Sequence, residues 1–169
     1  MKLSSFPIHE SVYTAMIRSC TVNNKNKEAL DLYYDMQKCN IIPKLRTLLP
    51  LLIGFSNIGD EKTCFHLFYE LIDLYKLIPT EKEYFCMLKV TVLCNDNRFY
   101  TILNLLMEDV LVPSKCIWEI VTEWFVKCEN KRYVRTCCLL IIRINCHCFY
   151  SHSWLAFILF SFYCFEVKC

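Results

Sequence analysis

Few side chains in this chain can do chemistry, and their spacing decides what kind. Thirteen cysteines and four histidines would suit a metal site or a disulfide framework. No C-x-x-C pair occurs anywhere. Cys146-His147-Cys148 with His152 is the nearest approach to a ligand set. Structural zinc sites need ligand pairs with a turn between them, so no metal is expected there. Met1 to Glu10 carries no apolar core of a signal peptide, so the thiols are expected to be reduced. Cys20, Cys64, Cys86 and Cys94 fall at apolar helical positions, where a thiol packs as a small hydrophobe. Of the nineteen Lys and Arg residues, Arg18, Lys44, Arg46, Lys82 and Lys89 fall on or near the first helix of a repeated helical unit, where they suit phosphate oxygens. Taken singly, each base is more often an ordinary solvated charge.

Those residues sit on a periodic frame. Proline recurs at Pro7, Pro43, Pro79 and Pro113, with gaps of 36, 36 and 34 residues. A fixed period in this range marks an array of repeated hairpins. Two glycines in 169 residues argue against a turn-rich β fold, which needs glycine in its hairpins. Apolar residues make up 55% of the chain, enough to bury a core. The expectation is an all-α protein, an α-α superhelix (solenoid) over residues 10–127, with units 10–44, 45–80, 81–114 and a partial unit 115–127.

Within each unit the apolar spacing predicts two helices. The first unit has helices over 10–20 and 27–38. Val12, Ala15, Met16 and Cys20 form the predicted inner stripe of one, and Ala29, Leu32, Tyr33 and Met36 that of the other. The second unit has helices over 45–56 and 61–75, joined at Gly59 and Asp60, a left-handed C-cap and an N-cap. Pro50 is an anomaly there, because inside a helix it removes a hydrogen bond. The third unit opens with Thr80-x-x-Glu83, a capping box, and has helices over 81–93 and 98–109. A last helix over 115–127 is expected to bury Ile117, Ile120, Val121 and Trp124.

Charge is split unevenly. Net charge is +2 overall, made of −2 over residues 1–125 and +4 over 126–169. A nucleic-acid binder usually carries a basic footprint. The repeats lack one in total, so binding must come from locally placed bases. The same balance suits a second class of function, a scaffold whose helical groove takes protein partners. A third class comes from the tail, residues 128–169, where Ile144–Phe165 runs 22 residues without a formal charge. That is close to the ~20 needed to cross a bilayer, and a tail-anchored membrane protein would follow. Asn145, His147, Ser151, His152 and Ser153 interrupt that run. The abrupt change in composition reads better as a segment foreign to the array, such as a translated intron or frameshift.

The residues between the prolines resemble a known family. V-Y-T-A-M-I-R-S-C (12–20), E-A-L-D-L-Y-Y-D-M (28–36) and I-I-P-K (41–44) are similar to a pentatricopeptide repeat (PPR). P-K-L-R-T-L-L-P-L-L-I-G-F (43–55) with G-D (59–60), P-T-E-K-E-Y-F-C-M-L-K-V (79–90) and W-E-I-V-T-E-W-F (118–125) resemble the PPR domain of proteinaceous ribonuclease P. The resemblance implies an RNA-binding module whose partner is precursor tRNA, and it accounts for Pro50. It places base readers at the fifth and last positions of each unit: Thr14 and Lys44, Leu49 and Thr80, Phe85 and Ser114. Leu49 and Phe85 are poor readers of a base edge and more often core, although Phe85 can stack on an unpaired base; this favours recognition of RNA shape. Cleavage in that family belongs to a separate domain whose aspartates hold divalent metal ions. Beyond Phe125 the only acids are Glu129 and Glu166, too few for a two-metal site, so neither catalytic residues nor a cofactor are expected in this chain. Mitochondria, plastids and nuclei are the compartments the resemblance implies.

Overall fold

Among the described residues seven α-helices follow one another: α1 (Glu10–Val22), α2 (Asn26–Lys38), α3 (Leu45–Ile58), α4 (Glu61–Tyr69), α5 (Glu81–Cys94), α6 (Phe99–Asp109) and α7 (Lys115–Cys128). The structure, a computed structural model, describes residues 9–110 and 112–128, and no strand occurs among them. The chain divides into two compact units, 1–123 and 124–169. The second is described only through the last residues of α7. The zinc, membrane and read-through expectations for the tail all fall on residues outside the described ones. Among the described residues no helix is long and apolar enough to cross a membrane.

Helices α1 and α2 form one antiparallel hairpin, α3 and α4 a second, α5 and α6 a third. The first helices of the hairpins stack side by side, α1 on α3 and α3 on α5. This is an all-α helical-repeat solenoid. Its core repeats with the sequence. Ala29 and Cys64 occupy matching places, as do Tyr33 and Phe68, and Met36 and Leu71, and all six are buried. Ile117, Ile120, Val121 and Trp124 are buried as their spacing predicts.

Four helix ends carry residues that tolerate a left-handed backbone; Lys76, at φ 52°, is the exception. Asn24, Asn40 and Asn95 have φ of 58°, 56° and 54°, and Gly59 has 73°. Asparagine and glycine visit this region at low cost. Gly59 closes α3, and Asp60 accepts a hydrogen bond from the Thr63 backbone N–H at 3.2 Å to open α4. Glu83 accepts from the Thr80 backbone N–H at 2.8 Å, completing the capping box of α5.

Two features depart from a regular repeat. Pro50 lies in the second turn of α3, so the Arg46 carbonyl has no helical donor, yet α3 runs on to Ile58. The second hairpin also holds one extra residue. From Lys25 to Asp60, the N-caps of α2 and α4, is 35 positions, whereas from Asn40 to Lys76, their left-handed ends, is 36. A π turn over Glu70–Leu74 continues α4 and absorbs the surplus; such turns accommodate a single insertion inside a helix. It places Glu70 and Tyr75 against α2. Tyr33 donates to Glu70 at 2.9 Å, and Gln37 donates to Glu70 and to Tyr75, each at 2.6 Å. Burial first, then the Tyr75 and Glu70 contacts, push the Tyr33 phenol well above its ordinary range.

The apolar stripe expected on α1 is corrected by the structure. Val12 and Met16 are 46% and 43% exposed, Ala15 is exposed and Cys20 is half-buried. Helix α1 buries Tyr13, Thr14 and Ile17 instead. Val12 and Met16 match Thr47 and Leu51 of α3, and Glu83 and Met87 of α5, all four of them buried. On α3 and α5 that face is covered by the preceding stacked helix; on α1 no described residue covers it. Cys94 is likewise exposed and donates weakly to the Gly59 carbonyl, whereas Cys64 and Cys86 are buried. Leu32 is half-buried.

Candidate nucleic-acid interface

Because α1, α3 and α5 stack side by side, each junction leaves a groove on their common face. The first groove, about 510 Å³, is lined by Ser11, Thr14, Ala15, Arg18, Ser19, Val22, Asn23 and Arg46. The second, about 550 Å³, is lined by Leu49, Ile53, Ser56 and Asn57 from α3 and by Glu81, Lys82, Phe85, Cys86 and Lys89 from α5. Ser114 and Cys116, at the start of α7, complete it.

The two grooves differ in chemistry. The second has an apolar floor, with Leu49 and Phe85 each half-buried and able to present a face. Lys82 is exposed at its rim, and Lys89 reaches across to donate to the Asn57 Oδ1 at 2.7 Å. The Ser114 backbone N–H donates to Glu81 at 3.1 Å, tying the start of α7 to α5. Burial pushes the Cys86 thiol up to about 11, so it is a neutral part of the floor.

The first groove is polar and internally bonded. Glu10, at the first residue of α1, accepts from the Arg46 Nε at 2.9 Å and also from its Nη2. The same carboxylate accepts from Thr14 at 2.9 Å and Thr47 at 2.8 Å, and the two threonine hydroxyls stand 2.7 Å apart. The Arg46 hydrogen bond, with those of Thr47 and Thr14 and against the opposing effect of burial, lowers the Glu10 carboxyl from 4.5 to about 2. A depressed carboxylate stabilises the fold above its unfolded pKa and loses that contribution as pH falls toward the folded value. Glu10→Gln is therefore expected to lower stability at pH 6, and the gap to wild type should close between about pH 4.5 and 2. Urea unfolding across that window measures it; a gap that does not change with pH contradicts the assignment.

The candidate residues divide between these places. Thr14, Arg18 and Arg46 line the first groove, and Lys82, Phe85, Lys89 and Ser114, with Leu49, line the second. Lys44 and Thr80 line neither. Lys44 is the exposed N-cap of α3, and Thr80 spends its hydroxyl and its N–H on Glu83. Thr14, the one ordinary base-edge reader by type, is 9% exposed and engaged by Glu10 and Thr47. Sequence reasoning missed Glu10, Asn57 and Ile53. The last two were legible from helical spacing, since Ile53 and Asn57 lie four and eight residues beyond Leu49 and share its face. Among the described residues no group of three or more His, Cys, Asp or Glu is placed to hold a metal ion.

Comparison with known proteins agrees with this architecture. A family model described as the pentacotripeptide-repeat region of PRORP matches residues 1–131. Proteinaceous RNase P 1, chloroplastic/mitochondrial, of Arabidopsis thaliana is 27% identical over 118 residues, covering 69% of this chain and 20% of that protein. A pentatricopeptide repeat-containing protein of the same plant is 27% identical over 111 residues, covering 66% of this chain and 14% of its own length. Another, named as mitochondrial, is 31% identical over 75 residues, covering 44% of this chain and 13% of that protein. The chain spans about a fifth or less of the length of these relatives. With three stacked hairpins in hand and a family match over most of its length, this chain belongs to the family of the pentacotripeptide-repeat region of PRORP.

Proposed function

We propose that residues 9–123 are an RNA-binding module that holds RNA along the face formed by α1, α3 and α5, and that precursor tRNA is its partner. The second groove carries this reading. It combines a flat apolar surface, Leu49 and Phe85, with two lysines, Lys82 and Lys89, at its rim. An unpaired base stacks on an aromatic face whatever its identity, while lysines hold the flanking phosphates. Leu49 and Phe85 stand where base-edge readers would be and can donate no hydrogen bond to a base. Thr14 is already bonded within the protein. Sequence is therefore read weakly and the shape of a folded RNA strongly. That suits tRNA, as does similarity to a proteinaceous RNase P. Binding, not cleavage, is what these residues supply.

The test is fluorescence anisotropy with a precursor tRNA and an unrelated hairpin RNA of equal length. The tRNA should bind more tightly. With Arg18, Lys82 and Lys89 on phosphates, log affinity against log salt should slope at roughly −2 to −3. Equal binding of the two RNAs at moderate salt would defeat the tRNA reading. The apolar floor of the same groove favours one competing reading, a protein-binding scaffold. Partners that survive nuclease treatment, with no RNA bound, would favour it.

A further inference from the structure

We infer that Glu10 is a specificity-determining residue of this face: it withholds Arg46 from the RNA backbone and confines phosphate contacts to the second groove and Arg18. This rests on the RNA-binding reading above. Arg46 and Lys82 occupy the same place in successive units, each three residues after the unit-ending proline. Lys82 is exposed and makes no ion pair among the described residues. Arg46 is also exposed, its side chain 55% so, but its Nε and Nη2 are both committed to Glu10, whose side chain is only 13% exposed.

The carboxylate cannot follow an arginine that leaves. It is anchored from below by the Thr14 and Thr47 hydroxyls. For the guanidinium to turn to a phosphate, it must abandon a bidentate pair and leave a largely covered charge behind, which is costly. For a phosphate to approach the intact pair, it must come up to a site of no net charge, with a carboxylate behind the guanidinium. The unit-two equivalent of Glu10 is Leu45, 35 residues on, so nothing matching Glu10 holds Lys82. At matching places Arg46 is therefore ion-paired and Lys82 is not; Glu81 also lines the second groove, but its carboxylate accepts from the Ser114 backbone N–H, and a strand lying across the two grooves is held at the second.

The alternative is that the pair only fastens α1 to α3. RNA binding by the full chain separates the two. With the same labelled precursor tRNA, Arg46→Gln in the wild type should change affinity less than about 2-fold. Glu10→Gln, which keeps the threonine hydrogen bonds but loses the charge, should tighten binding ~3–10-fold and steepen the salt slope by about 0.7 to 0.9 for one added phosphate contact. Adding Arg46→Gln to Glu10→Gln should abolish that gain. The inference is overturned if Arg46→Gln alone weakens binding 5-fold or more, if Glu10→Gln brings no gain, or if the gain survives without Arg46. Should Glu10→Gln fail to fold by circular dichroism, Glu10→Ala takes its place, with the same gain expected and its absence overturning the inference. Failure of the wild type to bind RNA removes the underlying reading; binding that depends on Lys82 and Lys89 and equally on Arg46 removes this inference alone.

Discussion

Phe68→Ala is expected to cost about 3–5 kcal/mol of stability, the range for emptying a fully buried aromatic site. Phe68 has no exposed surface and meets Tyr84 of α5 edge to face, ring centroids 5.5 Å apart. It therefore joins the second hairpin to the third. In a solenoid, stability is close to a sum of unit terms and neighbour interfaces. Losing this contact should also loosen the coupling between hairpins, so the urea transition followed by circular dichroism should broaden as well as shift. A loss below about 1 kcal/mol, far under the range for such a site, would show that α4 and α5 are not held together in the way described. Tyr33, at the matching place one unit earlier, offers a contrast. Its ring is buried too, but its hydroxyl bonds Glu70, so Tyr33→Phe tests the polar network while leaving the ring in place.

The second large effect is on binding. Phe85→Ala is expected to weaken RNA affinity by about 1–3 kcal/mol, the range for removing one base-stacking aromatic. Because stacking neutralises no phosphate, the salt slope should stay as in the wild type. Phe85 is half-buried and faces the groove, so its removal should disturb stability less than that of Phe68. Anisotropy titration at two salt concentrations checks both parts. Undiminished affinity would mean that the apolar floor of the groove is not where RNA rests.

Much of the fold was legible in the sequence because the signals were local. The prolines mark unit ends, asparagine and Gly59 mark left-handed turns, and Thr80 with Glu83 marks a helix start. Each of these acts within a few residues. Helix α1 shows the limit. Apolar spacing pointed to Val12 and Met16 as buried, but which side of a stacked helix is covered depends on its neighbour. The side that faces α3 is held by Glu10, Thr14 and Thr47, polar groups that satisfy one another. A hydrophobic pattern cannot register such a contact. The π turn was not legible: the Pro7–Pro43 and Pro43–Pro79 gaps are both 36, and the added residue shows only in the structure, where Glu70–Leu74 takes it up. At the candidate site, the residue types were readable and their engagement was not. Thr14 and Arg46 look free in sequence and are committed to partners 4 and 36 residues away, whereas the engagement of Thr80 by Glu83 was legible as a capping box.

The central claim is that RNA lies at the second groove, drawn there by Lys82 and Lys89. It is tested most directly by the salt dependence of precursor-tRNA binding in Lys82→Gln/Lys89→Gln. Removing two phosphate contacts should weaken binding at low salt and reduce the slope of log affinity against log salt by roughly 1.4 to 1.8. An unchanged slope, with the variant folded as the wild type by circular dichroism, would contradict it.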